Sequence, residues 1–286
     1  MRFRFIEAEK ANYSVNLLCS VLRVRRSGFY AWRKRPESER VRVNRELSIE
    51  VKSVFDGSRR RYGSPRVHAE LQAKGKRFGR HRIARLMRLQ GLQARARRRS
   101  IKTTDSKHSQ PMPKNYLDRQ FRVPAKDLVW VGDVTFIATL EGWLYLAVLL
   151  DLYSRRVVGW AMSDKNDERL VLGALQMAIE QRRPLPGLTQ HTDRGTTYAS
   201  GGYQELLRHS QILCSMSRKG NCWDNAVAES FFSSLKTECT AGVTFATRSA
   251  ARLVVFEYVA SFYNSTRRHS YLGYKSPMEF ERSEIS

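Results

Sequence analysis

The sequence predicts an all-α, helix-turn-helix-like region followed by a separate α/β body. Three observations point to this division. The first is charge: the 286 residues carry a net +24. Residues 1–126 hold 34 Lys and Arg against 10 Asp and Glu, whereas residues 127–286 hold 17 against 17. The second is apolar spacing, helical before residue 100 and strand-like after residue 125. The third is the polar stretch between them, which holds Pro111, Pro113 and Pro124, has no apolar period and reads as a linker. The expected units are a helical segment 1–44, a basic helix-turn-helix-like domain 45–100, a linker 101–124, a body 125–245 and a C-terminal helix and tail 246–286.

Residues 1–13 carry no decisive pattern. Ser14 is placed to cap a short helix through Val15, Leu17, Leu18, Val21 and Leu22. Ser27-Gly28 then turns into a second helix through Phe29 and Trp32, trailed by Arg33, Lys34 and Arg35. This pattern suits a DNA-binding helix-turn-helix and a plain helical hairpin equally. From Arg45 a longer helix is expected to about Phe55, with Leu47, Ile49, Val51 and Val54 as its apolar points. Ser64 caps the next helix, with Pro65 at its start, Val67 and Leu71 turned inward, and Gly75 at its end. A further helix from Gly79 turns Ile83, Leu86, Met87 and Leu89 inward. Arg82, Arg85 and Arg88 recur every three residues and share its other face, and Arg95, Arg97, Arg98 and Arg99 extend the basic patch. Such a face suits phosphate or major-groove contact, and it predicts salt-dependent binding to duplex DNA through counterion release.

After the linker, residues 128–137 read as a strand carrying Asp133. Residues 143–151 form a continuous apolar run, as in a strand buried on both faces, and residues 155–162 form a third strand. Asp167 caps a helix to about Gln181. Residues 188–192 form a short strand that delivers Asp193. A helix near 203–208 and a strand near 212–216 follow, and Asp224 caps the helix that carries Glu229. The order β-β-β-α-β-α-β-α describes a ribonuclease-H-like α/β fold. A helix near 249–263 precedes the basic, aromatic stretch from Tyr263 to Gly273, which could contact nucleic acid or pack on the body.

The candidate chemistry lies in Asp133, Asp193 and Glu229. Two sit at strand-like segments and one on a helix, with 35 residues between Asp193 and Glu229. Phosphodiester chemistry needs an activated attacking oxygen, a stabilised leaving oxygen and screening of phosphate charge. Two magnesium ions about 4 Å apart supply all three. Magnesium takes hard oxygen ligands and keeps waters, so two or three carboxylates hold it. Along the last helix Val227, Phe231 and Leu235 form an apolar stripe, with Glu229, Ser233 and Lys236 on another face. Glu229 and Lys236 are then about 10 Å apart, one for metal and one for a phosphate. Taken singly, each carboxylate has a plain reading as a solvated or turn-forming charge. Asp151 is the alternative ligand.

No apolar run approaches the roughly 18 residues of a membrane helix, and no signal peptide is expected. Cys19, Cys214, Cys222 and Cys239 form no CxxC pair, as expected of reduced thiols. A cytoplasmic, nucleoid-associated protein is expected.

These residues together resemble a family. Trp130…Asp133-Val134-Thr135, Asp151-Leu152-Tyr153-Ser154-Arg155-Arg156, His191-Thr192-Asp193-Arg194-Gly195 and the run from Gly220 to Lys236 are similar to the OrfB-type transposases of bacterial insertion sequences. These form the IS-three family, within the retroviral-integrase-like DDE superfamily. The tail 263–273 and Tyr62-Gly63-Ser64-Pro65-Arg66 match as well. The resemblance implies an integrase core with Asp133, Asp193 and Glu229 as catalytic metal ligands and Lys236 as the basic residue after the glutamate. It also implies Mg²⁺ (with Mn²⁺ able to substitute), metal-dependent nicking at element ends, and joining of the freed 3′-OH to target DNA. A homo-oligomeric synaptic complex, and fusion to or action with an upstream-frame protein, follow from the same resemblance. Arg66, Arg82, Arg85, Arg88, Arg97, Arg98 and Arg99 are the expected DNA contacts. A hydrolytic nuclease of the same fold and a DNA-binding regulator with an inactive body are the alternatives.

Overall fold

The computed structural model describes residues 1–95, 115, 117, 121–218, 225–240 and 242–283. Three short helices open the chain: α1 (Arg2–Glu9), α2 (Val15–Val21) and α3 (Arg26–Lys34). They enclose a small core of Ile6, Leu18, Cys19 and Phe29. The Ser14 hydroxyl accepts from the Leu17 N–H, as its position predicts. α1 occupies a stretch with no apolar period. Its place comes from packing, with Phe3 against Phe29 and Trp32.

α4 (Glu39–Gly57), α5 (Ser64–Ala73) and α6 (Arg80–Leu89) follow. Leu47, Val51, Val54 and Phe55 make the buried stripe of α4, spaced i, i+4, i+7 and i+8. Ile49 falls off that stripe and Leu89 off that of α6, so both are exposed, contrary to expectation. Ser64 does not cap α5. The Gly63 carbonyl takes the N–H groups of Arg66 and Val67, so Gly63 is the cap and Ser64 opens the helix. Val51, Phe55, Tyr62 and Val67 join one apolar cluster with Val131, Leu146, Phe231 and Tyr258. Leu117, at the end of the expected linker, is buried in it too.

The body is a five-stranded sheet. β1 (Val129–Thr139), β2 (Gly142–Asp151) and β3 (Val157–Ser163) run antiparallel as a meander. β4 (Thr189–Thr192) adds parallel to β1, and β5 (Leu213–Met216) parallel to β4, giving the order β3-β2-β1-β4-β5 of a ribonuclease-H-like fold. α7 (Glu168–Arg182), capped by Asp167, and α8 (Gly201–His209) cover one face around Trp130, Leu149, Leu175 and Tyr203. α7 lies so close that a Cβ on Gly159 would stand 2.2 Å from the Ala174 carbonyl oxygen. The other face carries α9 (Ala226–Leu235) and α10 (Arg248–Phe256). The expected Asp224 cap lies outside the described residues.

The C-terminal helix differs from expectation. After Phe256 the backbone widens to i→i+5 turns over Glu257–Tyr263, and a last helix, α11 (Pro277–Arg282), is added with a capping box of Ser276 and Glu279. The tail packs on the body: Tyr263, Arg267, His269 and Leu272 are buried. Cys19, Cys214 and Cys239 are free thiols. Among the described residues no helix is long and apolar enough to cross a membrane.

Candidate active site

Asp133 sits midway along β1, opposite Val148 of β2, and its Oδ1 accepts the Val134 N–H at 2.8 Å. The parallel β1–β4 pairing spans only Val129 to Val131, so β4 ends near Asp133 and hands the chain to Asp193. A backbone turn sets the Asp193 carboxylate, whose Oδ1 accepts the Gly195 N–H at 2.9 Å. A Cβ on Gly195 would come within 3.0 Å of that oxygen, which explains the glycine. Glu229 lies in the first turn of α9, on its exposed side, while Ala228, Phe231, Phe232 and Leu235 are buried. Val227, expected in the buried stripe, is only half-buried.

Asp193 and Glu229 both lie close enough to Asp133 for their charges to act on its carboxyl. The Asp133 carboxyl is pushed up to about 8 by burial and then by the charges of Asp193 and Glu229, with Lys236 opposing. Burial lowers the Lys236 ammonium, and Asp133 counters this. Tyr198, buried beneath the site, is raised well above a normal phenol, first by burial and then by Tyr203, Asp133 and Asp193. Among the described residues no three His, Cys, Asp or Glu groups enclose one ion. The oxygens of Asp133, Asp193 and Glu229 are hard donors of the kind that a divalent cation of the magnesium type takes.

Two supporting residues escape sequence reasoning. Asn225 is buried, and its Nδ2 donates to the Gly132 carbonyl at 3.0 Å, tying the start of α9 to β1 beside Asp133. The run around Trp223 drew attention to this stretch but gave Asn225 no role. Tyr198 follows the Asp193 turn with no motif of its own. Asp151 is held elsewhere, accepting from the N–H groups of Asp127 and Ser154 and from the Ser154 hydroxyl.

The Integrase core domain family matches residues 124–222, a second Integrase core domain model matches 229–285, and an HTH-like domain matches 42–100. Transposase InsF for insertion sequence IS3A of Escherichia coli (strain K12) is 42% identical over 288 residues, with 100% of each chain covered. This chain belongs to the IS3 family of insertion-sequence transposases. The Insertion element IS600 uncharacterized 31 kDa protein of Shigella sonnei is 41% identical over 263 residues, covering 92% of this chain and 97% of that one. Among solved structures, a simian T-cell lymphotropic virus intasome in complex with PP2A regulatory subunit B56 gamma is 17% identical, with a TM-score of 0.47, 62% of this chain covered and 60% of that one.

In the transposase the expected DNA-contacting arginines divide. Arg85 and Arg88 are exposed on α6. Arg82 is half-buried, donating to Asn44 Oδ1 at 2.9 Å with its guanidinium over the Phe78 ring. Arg66, also expected to contact DNA, is partly buried. It donates to the Arg268 carbonyl and to Glu238 Oε1, because the buried Glu238 just beyond α9 demands cationic partners. Arg97, Arg98 and Arg99 lie outside the described residues. Glu238 also accepts from Arg267 at 2.6 and 2.7 Å and from the Tyr258 hydroxyl at 3.0 Å. Burial works to raise its carboxyl, but Arg267 and Arg66 hold it below the usual range. This ion cluster joins α5, the end of α9 and the C-terminal tail.

Proposed function

We propose that this transposase nicks the ends of its insertion element and joins the freed 3′-OH to a second phosphodiester, at a metal site held by Asp133, Asp193 and Glu229. The observation that carries this reading is that Asp133 of β1, Asp193 at the end of β4 and Glu229 in the first turn of α9 come near one another, with burial first and then the charges of Asp193 and Glu229 raising the Asp133 carboxyl. Two Mg²⁺ ions, or Mn²⁺ in their place, would supply charge to the attacking and leaving oxygens. The chain's own residues do the rest. Asp133 is held on a central strand, Asp193 is aimed by its turn, and Glu229 is offered from a helix whose start Asn225 anchors. Lys236 stands beside Asp133, placed to grip a phosphate. Arg82, Arg85 and Arg88, together with Arg97, Arg98 and Arg99, hold duplex phosphates and set register. Two element ends must be held together, so the working species is a homo-oligomer on DNA, with the upstream-frame protein as its further partner.

The test is metal-dependent nicking of DNA carrying the element ends. Asp133→Asn, Asp193→Asn and Glu229→Gln are each expected to abolish nicking and leave duplex binding intact. A variant that still nicks removes its residue from the site. Binding without nicking by wild-type protein, alone or fused to the upstream frame, favours a regulatory protein.

A further inference from the structure

Beside the carboxylates lies a feature that nicking and joining do not use. Phe136 and Trp143 face outward from β1 and β2, 38% and 49% exposed. Their rings meet edge to face with centroids 4.8 Å apart. The pairing of β4 with β1 stops at Val131, so Phe136 stands on a stretch of β1 beyond its β4 neighbour. Phe136 is three residues from Asp133 on one strand, about 10 Å along it, and the odd separation sends the two side chains to opposite faces of the sheet, so they approach each other only around the edge of β1 that β4 leaves uncovered. Lys236 links the two places. Its Nζ lies 5.3 Å from the centre of the Phe136 ring, and it closes the helix whose first turn carries Glu229. Behind the rings Arg248 donates to the Trp143 carbonyl and, through its backbone N–H, to Glu141, which steadies the hairpin.

Two large aromatic rings left in water each forgo apolar burial. An apolar protein partner would cover them, but it would also bring the Lys236 ammonium and the carboxylates into its interface. A nucleotide satisfies all the neighbours at once: its base has a π-face for the rings, and its phosphate meets the ammonium.

We propose that Phe136 and Trp143 form a stacking platform for an unpaired base of the DNA strand at the carboxylate site, with Lys236 on the adjoining phosphate. This rests on the reading of that site as a DNA nicking and joining centre. The platform holds the strand end apart from its complement, so that a phosphodiester near the end can reach the carboxylates.

The test uses the full chain without divalent metal and two probes of mixed sequence: a fully paired duplex, and a duplex of equal length whose end is forked. Wild-type protein is expected to bind the forked probe about tenfold or more tightly, the worth of one base–aromatic stack. Phe136→Leu and Trp143→Leu keep an apolar side chain, and each is expected to erase the preference while binding the paired duplex as before. 5-Iodouracil in the unpaired arm is expected to crosslink to Trp143 or Phe136. Three results each overturn the platform: equal binding of both probes by wild type, a preference that survives both substitutions, or substitutions that only dissociate a self-assembled protein. Plasmid nicking by wild type with Mn²⁺ is measured alongside. Nicking with no fork preference leaves the enzymatic reading standing and removes the platform. A fork preference lost in the variants, with no nicking by wild type, does the reverse.

Discussion

Glu238 and Arg267 sit side by side in the protein, 7% and 4% exposed at their side chains, with Arg66 and Tyr258 completing the set. A buried ion pair adds little net stability, but removing one member leaves an uncompensated charge. Glu238→Gln is therefore expected to destabilise the fold by about 3–5 kcal/mol, read as a lower urea midpoint. His269, whose Nε2 lies 3.2 Å from Arg267, is pressed down to about 2 by burial and then by Arg267. The fold holds the ring neutral, so its contribution is complete above the ordinary value of 6.5 and fades as pH falls below it. The Glu238 contribution has the same sign, but fades only below about 4.5. Asp133, raised to about 8, acts with the opposite sign over the same range, so the His269 effect is read as a difference. The urea midpoint of wild type is expected to fall relative to that of His269→Gln as pH drops from 6.5 to 4.5, and a constant difference contradicts the neutral buried ring.

At the scale of the elements, the site depends on how α9 meets β1. The Asn225 amide holds the Gly132 carbonyl, and a Cβ on Gly132 would crowd Gln190, Leu149 and Thr192 at 3.0 to 3.2 Å. Asn225→Ala is expected to cost about 1–3 kcal/mol, the price of an unsatisfied buried carbonyl. It is also expected to slow nicking more than either Ala226→Gly or that stability loss explains, with both read on protein shown to be folded by circular dichroism. Much of this scale was legible in the sequence. The apolar run 143–151 is β2, Asp167 caps α7, and the short strands deliver Asp193 where their spacing predicts. What was not legible arises from tertiary packing. α1 has no period of its own and is held by rings from α3. The i→i+5 turns at Lys236–Thr240 and Glu257–Tyr263 carry helix-like sequence, and what joins them, the Tyr258 hydroxyl donating to Glu238, is a contact across the fold. Arg66 looked like any other arginine of a basic region, because its partner Glu238 lies 172 residues away.

Across the whole molecule the charge split of the sequence becomes a division of labour. The basic helices share a core with the body, so the DNA contact proposed for α6 would stand in a defined relation to the carboxylates. Each phosphate contact contributes about one to the slope of log K against log salt. Replacing both Arg85 and Arg88 with Ala is expected to lower that slope by about two for a duplex of any sequence, with urea midpoints unchanged. The most direct test of the account is strand transfer. Labelled duplex carrying an element end is incubated with supercoiled plasmid and Mg²⁺ or Mn²⁺, using wild type and Glu229→Gln, each with and without the upstream frame. The account predicts joined product from wild type and none from Glu229→Gln, although both bind the duplex. Joined product from Glu229→Gln, or nicks in wild type that never join, would contradict it.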